Sequence, residues 1–185
     1  VFFFVGGFSN GVSWESAQRK GLGYREWFDA RARRLIGPVL PLLLAWAVMV
    51  AVAHSNGVGD GMIRIGSKVA LVPVWFLAVY IMVVALVPLT HAAWKKFGFV
   101  SVVVPIGAAA LVDAAFFGLG WRALGWSNYL FVWLTVHQLG YAWHDRRLAG
   151  ARMGIPLFVA GLGGLLLLTQ LGPYPLALVG VPSDE

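Results

Sequence analysis

The sequence predicts an all-α polytopic transmembrane bundle, with five full transmembrane helices preceded by the end of an earlier one. Three observations predict it. Hydrophobic residues make up 59% of the 185 and charged residues only 12%, about half the charged share of a soluble domain, whose surface must face water. Apolar runs of about 17 to 25 residues, the length that spans a bilayer core as a helix, recur along the chain. The charges sit in short segments between those runs, and many of the nine Trp and five Tyr lie near the run ends, at headgroup level.

The chain starts inside an apolar stretch, Val1 to Phe8, without the Met and basic segment of a signal peptide. It is expected to be the end of a helix that begins earlier. The five full runs are Ile36 to Ala53, Val69 to Thr90, Phe99 to Leu119, Trp126 to Trp143 and Ile155 to Leu171. Pro38 and Pro41 fall in the first turn of the first run and Pro156 in that of the last, where a missing N–H costs little. Pro73 and Pro88 bracket the second run near its ends. Pro105 lies well inside the third and predicts a kink. Pro175 to Glu185 complete no further element, so residues 1–185 are expected to form part of a single domain truncated at both ends.

The basic residues set the orientation. Arg19, Lys20, Arg25, Arg31, Arg33 and Arg34 crowd the segment Ser9 to Leu35; Lys95 and Lys96 fall in His91 to Gly98, and Arg146, Arg147 and Arg152 in His144 to Gly154. Arg64, Lys68 and Arg122 fall in the alternate segments, so eleven of the 14 lie on one side. The richer side is expected to be cytoplasmic, which places 9–35, 91–98 and 144–154 inside a multi-pass cell-membrane protein. His54 to Lys68 and the end at Tyr174 to Glu185 fall outside.

The same placement explains the net charge of +6 as membrane topology, with lipids and not nucleic acid as the partner. With no Cys, disulfides, thiolate chemistry and Cys-based metal sites are excluded, and no metal site is expected. The Gly-rich stretch Asn56 to Gly66 lacks the residue order of a phosphate-binding loop, because Gly66-Ser67-Lys68 is not Gly-Lys-Ser/Thr. No internal repeat is visible.

Ionisable groups at membrane depth are costly unless they face a partner or a wet cavity. His137 lies eleven residues past Trp126, about 16 Å along a helix axis. Trp133, His137, Gly140, Tyr141 and His144 share one helix face, with Gln138 adjacent. A polar cavity between helices fits this pattern, and so does one His that hydrogen-bonds a neighbouring carbonyl and fixes packing. Asp113 lies about 9 Å deep by helix rise. A direct pair with His137 is not expected, and Asn128 or Arg122 are the better partners, which gives Asp113 and Asn128 a structural role. Arg31, Arg33 and Arg34 stand just before a helix. Their guanidinium forks suit phosphate, although anchoring to anionic headgroups accounts for them as well.

Taken together the segments resemble a known family. Phe2-Phe3-Phe4-Val5-Gly6-Gly7-Phe8 resembles the second-helix stretch of the acyltransferase 3 family of integral membrane acyltransferases, and Arg31 to Pro38 resembles its Arg-rich segment. Trp75-Phe76-Leu77 with Tyr80 is similar to a further family helix. Trp133 through His137-Gln138-Leu139-Gly140 to Trp143, with Tyr174-Pro175 through Pro182, resembles the actinobacterial-type branch.

The resemblance implies a bundle of about ten helices that moves an acyl group, commonly acetyl, from cytoplasmic acyl-CoA to a hydroxyl of an extracytoplasmic glycan, lipid or small-molecule acceptor. Acyl-CoA is then a co-substrate, and no bound cofactor is expected. The family's catalytic His lies in the first helix, which this sequence does not contain, so the piece alone is expected to be inactive. Arg31, Arg33 and Arg34 match the segment that holds the acyl-CoA phosphates. His137 and Gln138 receive only a supporting role: to orient the acyl carbonyl or assist the catalytic His. Two other classes fit the residues. A transporter or flippase would use the midplane His and Asp as a substrate pathway. A structural membrane subunit would use every polar group for packing.

Overall fold

The computed structural model describes residues 1–148 and 151–172. These residues form helices and turns with no strand: α1 (Phe2–Arg19), α2 (Tyr24–Ile36), α3 (Val39–Ser55), α4 (Asp60–Ala85), α5 (Val87–Phe97), α6 (Val100–Leu119), a 3₁₀ turn (Arg122–Leu124), α7 (Gly125–His144) and α8 (Ala151–Gln170). Among the described residues four stretches, Tyr24–Ser55, Asp60–Ala85, Val100–Leu119 and Met153–Gln170, are long and apolar enough to cross a membrane. The protein is a polytopic helical bundle. The 20-residue α7 falls outside that set because Ser127, Asn128, Thr135, His137 and Gln138 dilute its apolar residues. It is the helix around which the others pack, chiefly α1 and α6.

Several boundaries differ from those read off hydropathy. The single run Val69 to Thr90 is two helices, because Pro88 lacks the N–H that would extend the α4 ladder, and the chain restarts as α5. α4 begins at Asp60, well before the apolar run, which puts Pro73 inside the helix. The segments 9–35 and 91–98 are mostly helix, α1 reaching Arg19 and α2 and α5 filling most of the rest. α6 runs unbroken through Pro105 and stops where Gly120 adopts a left-handed conformation (φ 71°) that a side chain would oppose. The segment 174–182 lies outside the described residues.

α1 and α7 run parallel. Phe3 stacks on Trp133 with ring centroids 4.3 Å apart, Asn10 meets His137, and Glu15 approaches His144 at the far end. Phe3 also packs edge-on against Phe76 and Tyr80 of α4, which builds the apolar core of Phe3, Val79, Tyr80, Val83 and Val84. α3 and the described side chains of α8 bury no residue, so much of their apolar surface is exposed. The basic segments 9–35 and 91–98 meet the end of α7 at one end of the bundle, where Glu15 of α1, Lys95 of α5 and Asp145 after α7 form ion pairs.

Candidate functional site

The parallel contact of α1 and α7 rests on two glycines. A Cβ on Gly7 would run into the His137 carbonyl oxygen, and one on Gly140 into the Phe4 carbonyl and the Phe8 amide. With no side chains between them the two backbones touch, and the residues beside the contact are pressed together.

Those residues are polar. Asn10 Nδ2 donates to His137 Nε2 at 2.9 Å and to the Tyr80 hydroxyl at 3.2 Å, joining α1, α7 and α4. Asn10 and His137 have no exposure, and Tyr80 retains 5%. Asn10 Oδ1 and His137 Nδ1 have no hydrogen-bond partner among the described residues. Turning the Asn10 amide over would let Oδ1 accept from both neighbours; in either orientation Nδ1 stays unpaired. A buried polar atom without a partner costs about 1–3 kcal/mol, and native proteins keep few of them.

One turn toward the basic end, a pocket of about 690 Å³ opens between α1 and α2. Ser9 and Ser13 of α1 line it together with Lys20, Arg31 and Arg34. Arg31 Nη2 donates to the Ser9 carbonyl at 3.0 Å and Nε to Ser13 Oγ at 3.3 Å. Trp27 Nε1 donates to the same Ser13 oxygen, and the Arg31 guanidinium lies 5.9 Å from the Trp27 ring centroid. Arg31 is thus held against the bundle. Arg34 lies one turn further along α2 and is exposed.

At this end of the bundle an ionic node ties three helices together. Lys95 Nζ lies 2.9 Å from Glu15 and 3.2 Å from Asp145; His91 Nε2 and His144 Nε2 lie 3.3 and 3.7 Å from Glu15. Trp94 Nε1 donates to Asp145 at 2.9 Å. Burial works to raise the Glu15 carboxyl, but the hydrogen bond and charge of Lys95, helped by His144 and His91, hold it below its usual range. Asp145 is likewise held down against burial by Trp94, Lys95 and His144. Lys95 is raised by both carboxylates in spite of burial, and His91 is lowered, chiefly by burial.

The signs give a pH profile. His91 disfavours its proton in the folded state, so stability falls as pH drops through about 6.5. It falls again below about pH 4, as Glu15 and Asp145 are protonated, and Lys95 releases its share only at strongly alkaline pH. Thermal unfolding followed from pH 8 down to about pH 2 should show both acid steps, and Glu15→Gln should flatten the lower one. Identical acid limbs in variant and wild type would mean that the node contributes no stability.

A family model described as an acyltransferase domain matches residues 1–180. The chain belongs to this acyltransferase family. No curated protein and no solved structure matches it.

In this acyltransferase the residues singled out from the sequence separate. His137 enters the buried cluster, but Gln138 does not share its surroundings. Successive helix positions turn by about 100°, so Gln138 faces a different groove, an apolar one lined by α5 and α6 residues such as Leu89, Phe97 and Val104. Gln138 is buried with its Oε1 unpaired among the described residues. Arg31 and Arg34, three apart on one helix face, line the basic pocket, and Arg33 lies outside it, exposed. Asn128 Nδ2 donates to Asp113 Oδ1, away from the cluster. Sequence reasoning misses Asn10, Ser13 and Glu15, because hydropathy ends the first helix near Phe8 and gives Ser9 onward to a basic loop. An amide one helical turn past a glycine pair, Gly6-Gly7, is the available signal.

Proposed function

We propose that the chain is part of a membrane O-acyltransferase that moves an acyl group, acetyl in the simplest case, from acyl-CoA to a hydroxyl acceptor on the opposite side of the cell membrane. The observation that carries this is the adjacency, on α1, of the basic pocket to a buried His–Asn–Tyr set. Lys20 and Arg34, with Arg31 behind them, offer the pocket's cationic donors, which match the phosphates of CoA. The end of the bundle that holds 9–35, 91–98 and 144–154 is then the cytoplasmic one, where acyl-CoA is found.

The transfer is an attack by the acceptor hydroxyl oxygen on the thioester carbonyl. A C–O bond forms, the C–S bond breaks, and the hydroxyl proton passes through a base to the CoA sulfur. His137 takes a supporting role: Asn10 fixes one ring nitrogen, and Nδ1 is left to hydrogen-bond the reacting carbonyl or the base. Gln138, turned to the other groove, takes no part. No bound cofactor enters the scheme, since acyl-CoA is a substrate.

Substitutions inside and outside the pocket separate phosphate recognition from general attraction to anionic headgroups. Arg34→Ala should raise the KM for acetyl-CoA by about tenfold or more, the loss of one charged hydrogen bond, and Arg33→Ala should leave it unchanged. Equal effects of the two substitutions would reduce the arginines to surface charge and sink this reading of the pocket.

A further inference from the structure

Only Gly98 and Phe99 join α5 to α6, and an apolar groove of about 440 Å³ lies between these helices and α7. Leu89 and Phe97 of α5, Val100 and Val104 of α6, and Phe131 and Leu134 of α7 line it, with Gln138 buried at its floor. We propose that this groove binds a long-chain alcohol from the membrane, its hydroxyl on Gln138, as a resident ligand and not as an acyl acceptor.

Gln138 selects the ligand's polar group. It keeps 3% exposure, and its Oε1 has no hydrogen-bond partner among the described residues. The other polar side chains along the groove are satisfied. Thr90 Oγ1 bonds the Leu86 carbonyl and the Tyr141 hydroxyl, and Ser101 Oγ donates to the Gly98 carbonyl. An unpaired buried oxygen costs about 1–3 kcal/mol, which a ligand that hydrogen-bonds it would recover. An amide presents its carbonyl or its NH₂ according to how it is turned. A hydroxyl both accepts and donates, so it meets Gln138 in either orientation, as neither an ammonium nor an ester carbonyl does. No charged residue lines the groove among the described residues, and a charged ligand would lose its hydration there without gaining a counter-charge.

Depth separates a free alcohol from a phospholipid. Gln138 lies six residues before His144, the last residue of α7, or about 9 Å of helix rise from the basic end. A phospholipid keeps its polar groups at the membrane surface, so its chains would cover the walls and leave Oε1 unpaired. The walls themselves suit hydrocarbon: Leu89, Phe97, Val100 and Val104 are exposed, and an alkyl chain laid against them removes apolar surface from its surroundings on both sides. The groove is also distinct from the transfer cluster. Gln138 and His137 project about 100° apart on α7, which keeps a hydroxyl seated on Gln138 away from His137 Nδ1.

The test uses the whole protein in lipid nanodiscs. The probes are dodecanol with a photoreactive diazirine on its chain and the matching alkane, in which a methyl group replaces the hydroxyl. Labelling of the peptides that line the groove should saturate with the alcohol, and plain dodecanol should compete it away. Gln138→Leu keeps the bulk and removes the unpaired oxygen, so it should fold at least as well as the wild type. It should raise the alcohol concentration for half-labelling by about tenfold. Val104→Trp, on the exposed wall, should abolish labelling by filling the groove. With acetyl-CoA present, the recovered alcohol should stay unacylated. Equal labelling by alcohol and alkane, or of wild type and Gln138→Leu by the alcohol, would overturn the proposal and leave ordinary lipid chains over the groove. Absence of labelling in the wild type would overturn it in favour of a helix packed there. An acylated product would make the alcohol a substrate and overturn its assignment as a resident ligand.

Discussion

Replacing His137 by alanine in the whole protein is expected to lower acyl transfer by about a hundredfold to a thousandfold, the range for loss of one donor aimed at developing charge. The expectation rests on Nδ1. His137 is fully buried, its Nε2 is held by Asn10, and its other nitrogen has no partner among the described residues. A ring that served packing alone would have both nitrogens satisfied, since an unpaired buried atom is destabilising. Asn10→Ala should reproduce most of the loss through misplacement of the ring. The double variant should be little worse than either single one, because residues that act as a unit are not additive. The measurement is CoA release in membranes with matched expression. Turnover at the wild-type rate in His137→Ala would remove the cluster from the mechanism.

The second large effect is structural. Gly140→Ala places a methyl group against the Phe4 carbonyl and the Phe8 amide, and backbone cannot move aside as a flexible side chain can. Overpacking of this kind costs about 1–3 kcal/mol, and valine at the same site should cost more. Because this contact sets the distance from Asn10 to His137, activity should fall more steeply than stability. Gly118→Ala in α6, where an added Cβ meets nothing within 4 Å, is the control and should be neutral or slightly stabilising. Equal unfolding midpoints and equal activity for Gly140→Ala and Gly118→Ala would show that the α1–α7 approach is not tight.

Much of the fold is legible in the sequence, for a definite reason. Lipid imposes a one-dimensional requirement, a run of apolar side chains of fixed length, so α3, α6 and α8 fall close to the runs that predict them. The failures share a cause as well. Hydropathy does not register a helix that continues into polar sequence, and so α1 past Phe8 and α4 before Val69 look like loops. The hidden part of α1 holds Asn10, Ser13 and Glu15, which anchor the buried cluster, the basic pocket and the ionic node in turn.

The candidate site is legible only in pieces. His137 stands out because a titratable ring at mid-run demands an explanation, and Asp113 with Asn128 because few polar residues lie at their depth. Charge marks Arg31, Arg33 and Arg34 as a group, but helical rotation divides them, with Arg33 turned out of the pocket. The same rotation separates Gln138 from His137.

By itself, then, the sequence determined the class of the protein: an all-helical membrane bundle, with its basic segments on alternate turns and a resemblance to membrane acyltransferases. Composition and spacing are enough for that, because the bilayer acts on each segment separately. Only the tertiary structure decided which polar residues meet. Asn10 and His137 are 127 positions apart, and their contact depends on two glycines that let α1 and α7 touch. No local pattern encodes such a pairing; it comes from how backbones pack once the helices are in place.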